Sequence, residues 1–198
     1  MVFTGRDDVD NMLNRYRARL LAENLRQNLI SRSGSPELAD RLIAGSLLPV
    51  RIIPEIVASP LLDIGSGGGL PGIPLKIVRP NLEVTLLDAK RSKTLFLKRV
   101  VRELGLEGVD VVWNRVESFA QEARNKDAFR TVVSRAVGDW PSLLTASGTL
   151  LANGGHLILW CTPEMTIPDH SDERIEMAGV FSSKEPVRLA VWIKHGTN

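Results

Sequence analysis

The stretch from Pro60 to Asp88, PLLDIGSGGGLPGIPLKIVRPNLEVTLLD, limits the possible folds more than any other part of the chain. Leu61, Leu62 and Ile64 make a short apolar run that stops at a glycine, the pattern of a buried parallel strand. Gly65, Gly67, Gly68 and Gly69 then crowd into five positions. Glycine accepts positive φ and lets another molecule approach the backbone, but it weakens the interior of a helix or strand. The cluster therefore predicts a tight strand-to-helix turn. Leu70, Ile73, Leu75, Ile77 and Val78 continue an apolar pattern in which Pro71 and Pro74 fit only a first helical turn. Pro80-Asn81 ends that helix, and a second apolar run, Val84 to Leu87, closes on Asp88. Strand, glycine turn, helix, strand and acid make half of a doubly wound nucleotide-binding unit. The terminal acid can accept hydrogen bonds from both hydroxyls of a ribose.

Two ligand classes fit this unit. Gly67, Gly69 and Gly72 satisfy the G-x-G-x-x-G spacing of dinucleotide sites. The run from Asp63 to Gly69 also gives D-x-G-x-G-x-G, which resembles the glycine motif of S-adenosylmethionine-dependent methyltransferases. A pyrophosphate needs open backbone N–H groups at the helix start, and Pro71 removes one there. Adenosylmethionine has no phosphate and carries an ammonium and a sulfonium, so the acid that Asp63 places beside the loop favours it. The methyl donor ranks first, a dinucleotide second, and a turn with no ligand third.

The remaining bounds are broad. A chain of 198 residues can bury one substantial core or two small ones. A net charge of +2, from 25 basic and 23 acidic side chains, does not by itself mark a nucleic-acid binder. A single cysteine, Cys161, rules out an internal disulfide and fits a reducing compartment. The start, MVFTGRDDVD, has no apolar signal core and no run reaches membrane-spanning length, so a cytoplasmic monomer without a membrane partner is expected. His156, His170 and His195 lie far apart without metal-ligand spacing, so no metal is expected.

Asp7 to Ser31 reads as one amphipathic helix decorated with arginines, equally a solvated face or an RNA-contacting one. Ser35-Pro36-Glu37 starts a second helix that runs to about Leu48, before Pro49. No flexible linker follows, so residues 1–57 form a helical extension that packs on a core of residues 58–198. Lys90 to Leu104 is a helix closed by Gly105, with Leu95, Phe96, Val100, Val101 and Leu104 toward the sheet. No acid occurs between 90 and 102, and Lys93, Lys98 and Arg99 are candidate contacts to RNA phosphates; a solvated helix neutralised by acids elsewhere is the alternative. Val109–Trp113, Arg130–Ser134 and His156–Trp160 read as further strands, with a helix over about 141–151 that ends in Asn153-Gly154-Gly155. Asn114 to Phe119, and Arg135 with Ala136, fall at the strand ends where doubly wound folds bind ligands. One short helix is expected within 162–172. Val180–Ser183 and Leu189–Ile193 read as two final antiparallel strands.

LLDIGSGGGLPGIPLKIVRP, VTLLD, NRVESF and VVSRAV, in that order, resemble the bacterial small-subunit ribosomal RNA guanine-N7 methyltransferases, the glucose-inhibited division protein B family. The resemblance covers roughly residues 24 to 194. It implies an α/β, Rossmann-like class I methyltransferase fold: a doubly wound, mostly parallel seven-stranded sheet with an N-terminal helical extension. It implies S-adenosyl-L-methionine as cofactor, with Gly65, Gly67, Gly69 and Leu70 lining its methionine end. Asp88 would meet the ribose, Val116 and Glu117 would lie near the adenine, and Arg135 would stand at the mouth as the candidate catalytic residue. The partner implied is 16S ribosomal RNA or the small ribosomal subunit. Where the family usually carries R-H-I-L-D-S, this chain has Arg41-Leu42-Ile43-Ala44-Gly45-Ser46. The family's lysine at the end of the fifth strand is also replaced, in Leu159-Trp160-Cys161-Thr162.

Methyl transfer from a sulfonium is an in-line displacement that depends chiefly on alignment. Guanine N7 has an available lone pair, so the lack of an evident catalytic base suits this acceptor. The N/D-P-P-Y/F of amino-group methylation is replaced by Ser134-Arg135-Ala136-Val137, and Cys161 lies on a different strand from the nucleophile of pyrimidine methylation. Arg135 can hold a phosphate or a base edge with its planar fork, or else pair with Asp63 or Glu117 as a structural residue. Trp140 is expected to pack its helix rather than stack on a base, and His156 to be structural. Two alternatives stay open: a non-catalytic family member that binds cofactor or ribosome, and an NAD(P)-dependent reductase.

Overall fold

The computed structural model describes residues 3–30, 34–135, 139–162, 164–167, 173–182 and 187–196. Helix α1 (Asp7–Gln27) starts where the Asp10 carboxylate accepts the N–H groups of Phe3, Thr4 and Gly5. It stops short of the expected Ser31 because Asn28 turns left-handed, at φ +48, and returns its N–H to Asn24 O. Helix α2 (Pro36–Ser46) has the expected cap, with Ser35 Oγ accepting from Leu38 N. It does not run on to Leu48. A separate short helix, α3 (Leu48–Ile52), takes Pro49 into its own first turn, where a missing N–H does no harm.

The alternating unit follows: β1 (Leu61–Ile64), α4 (Gly72–Val78), β2 (Val84–Asp88), α5 (Arg91–Leu104), β3 (Val109–Trp113), α6 (Val116–Gln121), β4 (Phe129–Ser134), α7 (Trp140–Leu150), β5 (Leu151–Cys161), β6 (Ile175–Ser182) and β7 (Arg188–Lys194). They form one seven-stranded sheet in the order β3-β2-β1-β4-β5-β7-β6. Strands β1 to β5 pair in parallel, and β7 runs antiparallel to both β5 and β6. Side chains alternate across it. Leu61, Leu86, Val133 and Ile158 face a cluster shared with α1, α2, α4 and α5, whereas Leu62, Leu87, Val132 and Leu157 face α6 and α7. Leu13, Tyr16 and Leu20 of α1 are fully buried in the first cluster, so the N-terminal helices pack directly on one face of the sheet.

Three expected boundaries or faces differ. On α5, Leu95 is 52% exposed and Leu97 takes the buried place. The helix turns about 100° per residue, and Phe96, Leu97, Val100 and Leu104 already fill the inward stripe. Strand β5 begins at Leu151 and includes Asn153-Gly154-Gly155, and β6 begins at Ile175. The glycines mark a register shift against β4 and not a turn: a Cβ on Gly155 would meet the carbonyl oxygens of Phe129 and Arg130 at 3.1 Å. The short helix expected within 162–172 falls largely outside the described residues, as does Ala136.

Candidate functional site

The chain runs outward from β1 to β2 and β3, then returns to the other side of β1 with β4. The order reverses between β1 and β4, which opens a crevice beyond their C-terminal ends. The glycine turn occupies that point. Gly65 N and Ser66 N both donate to Leu87 O, while Gly69 N and Leu70 N donate to Ser66 O, folding the backbone tightly on itself. Gly65, Gly67 and Gly69 hold φ of +72, +56 and +96, a region that side-chain-bearing residues rarely adopt.

The turn has two unlike sides. A Cβ on Gly65 would have nothing within 4 Å, so this backbone borders open space. That space is a cavity of about 150 Å³ lined by Gly65, Asp88, Asn114, Arg115, Val116 and Glu117, among others. The opposite side is packed. A Cβ on Gly68 would meet Leu20 Cδ1 at 2.7 Å, one on Gly69 would run into Ile73 Cδ1, and one on Gly72 would meet Leu86 Cδ2 at 2.5 Å. Leu70, also expected in the site, is buried beside them.

Asp88 joins the turn to the cavity. Its Oδ2 accepts from Gly67 N at 2.9 Å and its Oδ1 from Lys90 N at 2.8 Å. Each oxygen keeps lone-pair capacity for a further donor. Glu117, in the first turn of α6, is exposed on the far wall with Val116 beside it. The structure thus brings Gly65, Asp88, Val116 and Glu117 around one space. An adenosine fits that donor set: a carboxylate for ribose hydroxyls, apolar Val116 for a base and bare backbone for close approach.

Asp63 lies behind the turn. It is fully buried on the α1 and α4 side, where Oδ2 accepts from Gly72 N at 2.9 Å and Oδ1 has no hydrogen-bond partner. Burial pushes its carboxyl up to about 7 against the pull of the Gly72 N–H, and the Asp88 charge adds to the rise. Beside it sits Tyr16, which the sequence marks only as a helical apolar position. Its buried hydroxyl donates to Gly68 O at 2.8 Å, and its pKa is raised by burial and by the Asp63 charge, against the Arg135 charge. No periodicity distinguishes a tyrosine that pins a loop from one that fills a core. At the tip of β4, Arg135 Nη1 donates to Leu42 O and to Ser46 Oγ at 3.1 Å, fastening α2 to the mouth of the crevice. Trp160 does the same from β5, donating to Gly45 O at 2.7 Å.

The three candidate RNA contacts do not share one fate. Lys93 Nζ reaches back to 4.0 Å from Asp88 Oδ2 and lies over Gly67. Arg99 pairs with Glu23 of α1 at 3.0 Å. Lys98 is exposed along a broader cleft of about 540 Å³ between the end of α5 and edge strand β3, away from the strand tips. Trp140 packs against Trp192 with ring centroids 6.1 Å apart, and His156 is part-buried in β5 with its pKa held low by burial and by Arg130. Among the described residues no group of His, Cys, Asp and Glu is placed to hold a metal ion, and no helix is long and apolar enough to cross a membrane.

A seven-stranded, mostly parallel sheet with a bare turn on β1 and an acid ending β2 is the class I, Rossmann-like methyltransferase architecture. A variant of MtNAS solved in complex with S-adenosylmethionine shares that fold, with a TM-score of 0.65 over 96% of this chain and 77% of its own at 14% identity. The chain belongs to the GidB family, described as rRNA small subunit methyltransferase G, whose sequence model matches residues 10–173. Two proteins named ribosomal RNA small subunit methyltransferase G are similar to it. That of Carboxydothermus hydrogenoformans is 38% identical over 152 residues, 77% of this chain and 64% of its own. That of Laribacter hongkongensis is 40% identical over 153 residues, 74% of this chain and 70% of its own. The chain therefore spans less than two thirds of the Carboxydothermus relative.

Proposed function

We propose that this chain transfers a methyl group from S-adenosyl-L-methionine to N7 of a guanine in small-subunit, 16S ribosomal RNA. The observation that carries it is the shared cavity of Gly65, Asp88, Val116 and Glu117 at the sheet's switch point. When bound, the cofactor supplies an electrophilic methyl on its sulfonium. The residues here supply position. Asp88 accepts from the ribose, Gly65 admits the ligand to the backbone, Val116 and Glu117 flank the base, and Gly67, Gly69 and Leu70 shape the methionine end. Since N7 carries its own lone pair, no side chain need remove a proton from it. Arg135 acts at the mouth by holding α2 to the β4 tip. The proposed partner is the small ribosomal subunit or its RNA, and the proposed setting is a monomer in the cytoplasm with residues 1–57 as an extension of the 58–198 core.

Incubation with labelled cofactor and small subunits lacking the modification should place label on guanine N7. A second reading, a member that binds cofactor or ribosome without transfer, draws support from α2. Leu42 and Gly45 stand where the family has His and Asp, and here they hold Arg135 and Trp160 through backbone carbonyls. Cofactor binding with no label transferred would favour that reading. The family gives no support to a reductase, and tight NADH binding without adenosylmethionine binding would be needed to restore it.

A further inference from the structure

Of the four tryptophans, Trp113 is the one the core does not use. Trp160 and Trp192 are buried and Trp140 packs on Trp192, whereas Trp113, the last residue of β3, is 58% exposed. A single exposed aromatic needs no explanation on its own. This one is held in place. Its indole Nε1 donates to Ala89 O at 3.0 Å, and the Arg91 guanidinium lies over the ring, 5.6 Å from its centroid. A pinned indole loses little freedom on binding, and more than half of this one's surface is in water.

Ala89, Asn114 and Arg115 all line the cavity that holds Asp88 and Glu117, so the ring stands at the rim of the proposed cofactor pocket and outside its lining. Lys90, Arg91 and Arg115 are exposed around it, and no acid occurs in Ala89–Lys93 or Trp113–Arg115. Exposed π surface interleaved with unburied cations is the equipment for single-stranded RNA, whose bases stack while its phosphates meet the charges.

We propose that Trp113 and Arg91 form a stacking shelf for an unpaired base of the RNA substrate, next to the cofactor pocket. This rests on the methyl-transfer reading above. It adds an RNA contact at the N-terminal end of α5, the helix whose Lys93 and Arg99 are engaged with Asp88 and Glu23.

The test uses the full chain, a short guanine-containing single-stranded RNA followed by fluorescence anisotropy, and S-adenosylmethionine followed by calorimetry. Trp113→Ala should weaken RNA binding roughly tenfold while leaving both its salt slope and the cofactor Kd unchanged. Trp113→Phe, which keeps a ring, should retain most of the affinity. Arg91→Gln should lower the slope of log affinity against log salt by about 0.7, one phosphate contact on a single strand. RNA affinity unaltered by Trp113→Ala overturns the shelf. So does a parallel loss of cofactor affinity, which would assign the ring to the adenosine, and so does a native chain that binds no RNA. A native chain that binds RNA but no cofactor would sink the methyl-transfer reading instead, with Trp113→Ala still deciding the shelf.

Discussion

Facing β2 and β3, the glycine turn presents Gly65 to open space; facing α1 and α4, it presents Gly68, Gly69 and Gly72 to side chains that a Cβ would strike. One residue type serves two ends within a single turn. On the open side the bare backbone gives a ligand room. On the closed side it lets Leu20, Ile73 and Leu86 close over the turn, with Tyr16 bonded to Gly68 O and Asp63 to Gly72 N. Changes on the closed side should therefore act on stability, and changes on the open side on cofactor binding.

The largest effect expected belongs to Asp63, on the closed side. Its carboxyl is raised to about 7 in the folded chain, against 3.8 for the ordinary group. Between those values the folded state keeps a proton that the unfolded state has released, so stability falls as pH rises and levels off above about 7. Over that window the loss from this one group is on the order of 4 kcal/mol, at about 1.4 kcal/mol per pH unit. Asp63→Asn should remove that decline and be more stable than the native chain at neutral pH relative to acid. Urea unfolding at pH 4, 5.5 and 7 measures it. Parallel curves for the two proteins would mean that Asp63 is already ionised, and the closed side less dry than its burial indicates.

Next comes a pair of glycines. Gly72→Ala drives a methyl into Leu86 Cδ2 and Asp63 Oδ2, at 2.5 and 2.7 Å, and should cost about 2 kcal/mol, roughly 6 °C in Tm for a chain of this size. Gly65→Ala meets no atom and pays for its φ of +72 alone, about 1 kcal/mol, but its methyl enters the cavity and should weaken S-adenosylmethionine at least tenfold. Calorimetry and thermal melts on both variants give four numbers. The two-sided account breaks if Gly72→Ala loses cofactor at full stability, or if Gly65→Ala keeps its affinity.

How far this division was legible in the sequence differs between its halves. The strand, turn, helix and acid of residues 60–88 announce themselves because local rules decide them: apolar runs set strands, and clustered glycines set a turn. Asp88, Val116 and Glu117 converge because strand ends in such a sheet share an edge. The closed side is the product of long-range packing. Nothing local tells that Tyr16 lies against Gly68, that Arg135 holds Leu42 and Ser46, or that Lys93 folds back toward Asp88. Glycine also misled: Gly154-Gly155 resembles a helix terminator and instead lets two strand backbones approach.

A smaller effect is expected where α1 meets the turn. Tyr16→Phe leaves Gly68 O buried without its donor and should cost about 1–2 kcal/mol. The ring still fills its place, so the backbone of Gly65 and Gly67 keeps its shape and the cofactor Kd should hold. Chemical denaturation beside calorimetry separates the two. A cofactor Kd raised as much as stability is lowered would show that the closed side sets the geometry of the open one.

The smallest effects lie on α5, which touches both sides. Lys93 reaches the open side at Asp88, Arg99 ties the helix to Glu23 of α1 behind the closed side, and Lys98 faces water. An exposed ion pair contributes little, so Arg99→Gln should lower stability by under about 1 kcal/mol. The informative readout is RNA affinity against salt. Lys98→Gln should flatten the slope by about 0.7, the share of one phosphate contact on a single strand. Arg99→Gln should flatten it less, since Glu23 already screens that charge. Lys93→Gln should leave the slope unchanged and alter the cofactor Kd, because its ammonium stands over Gly67 beside the Asp88 carboxylate. Equal flattening by all three would put Lys93 on the RNA, and the open side of the turn would then belong to the nucleic acid as much as to the methyl donor.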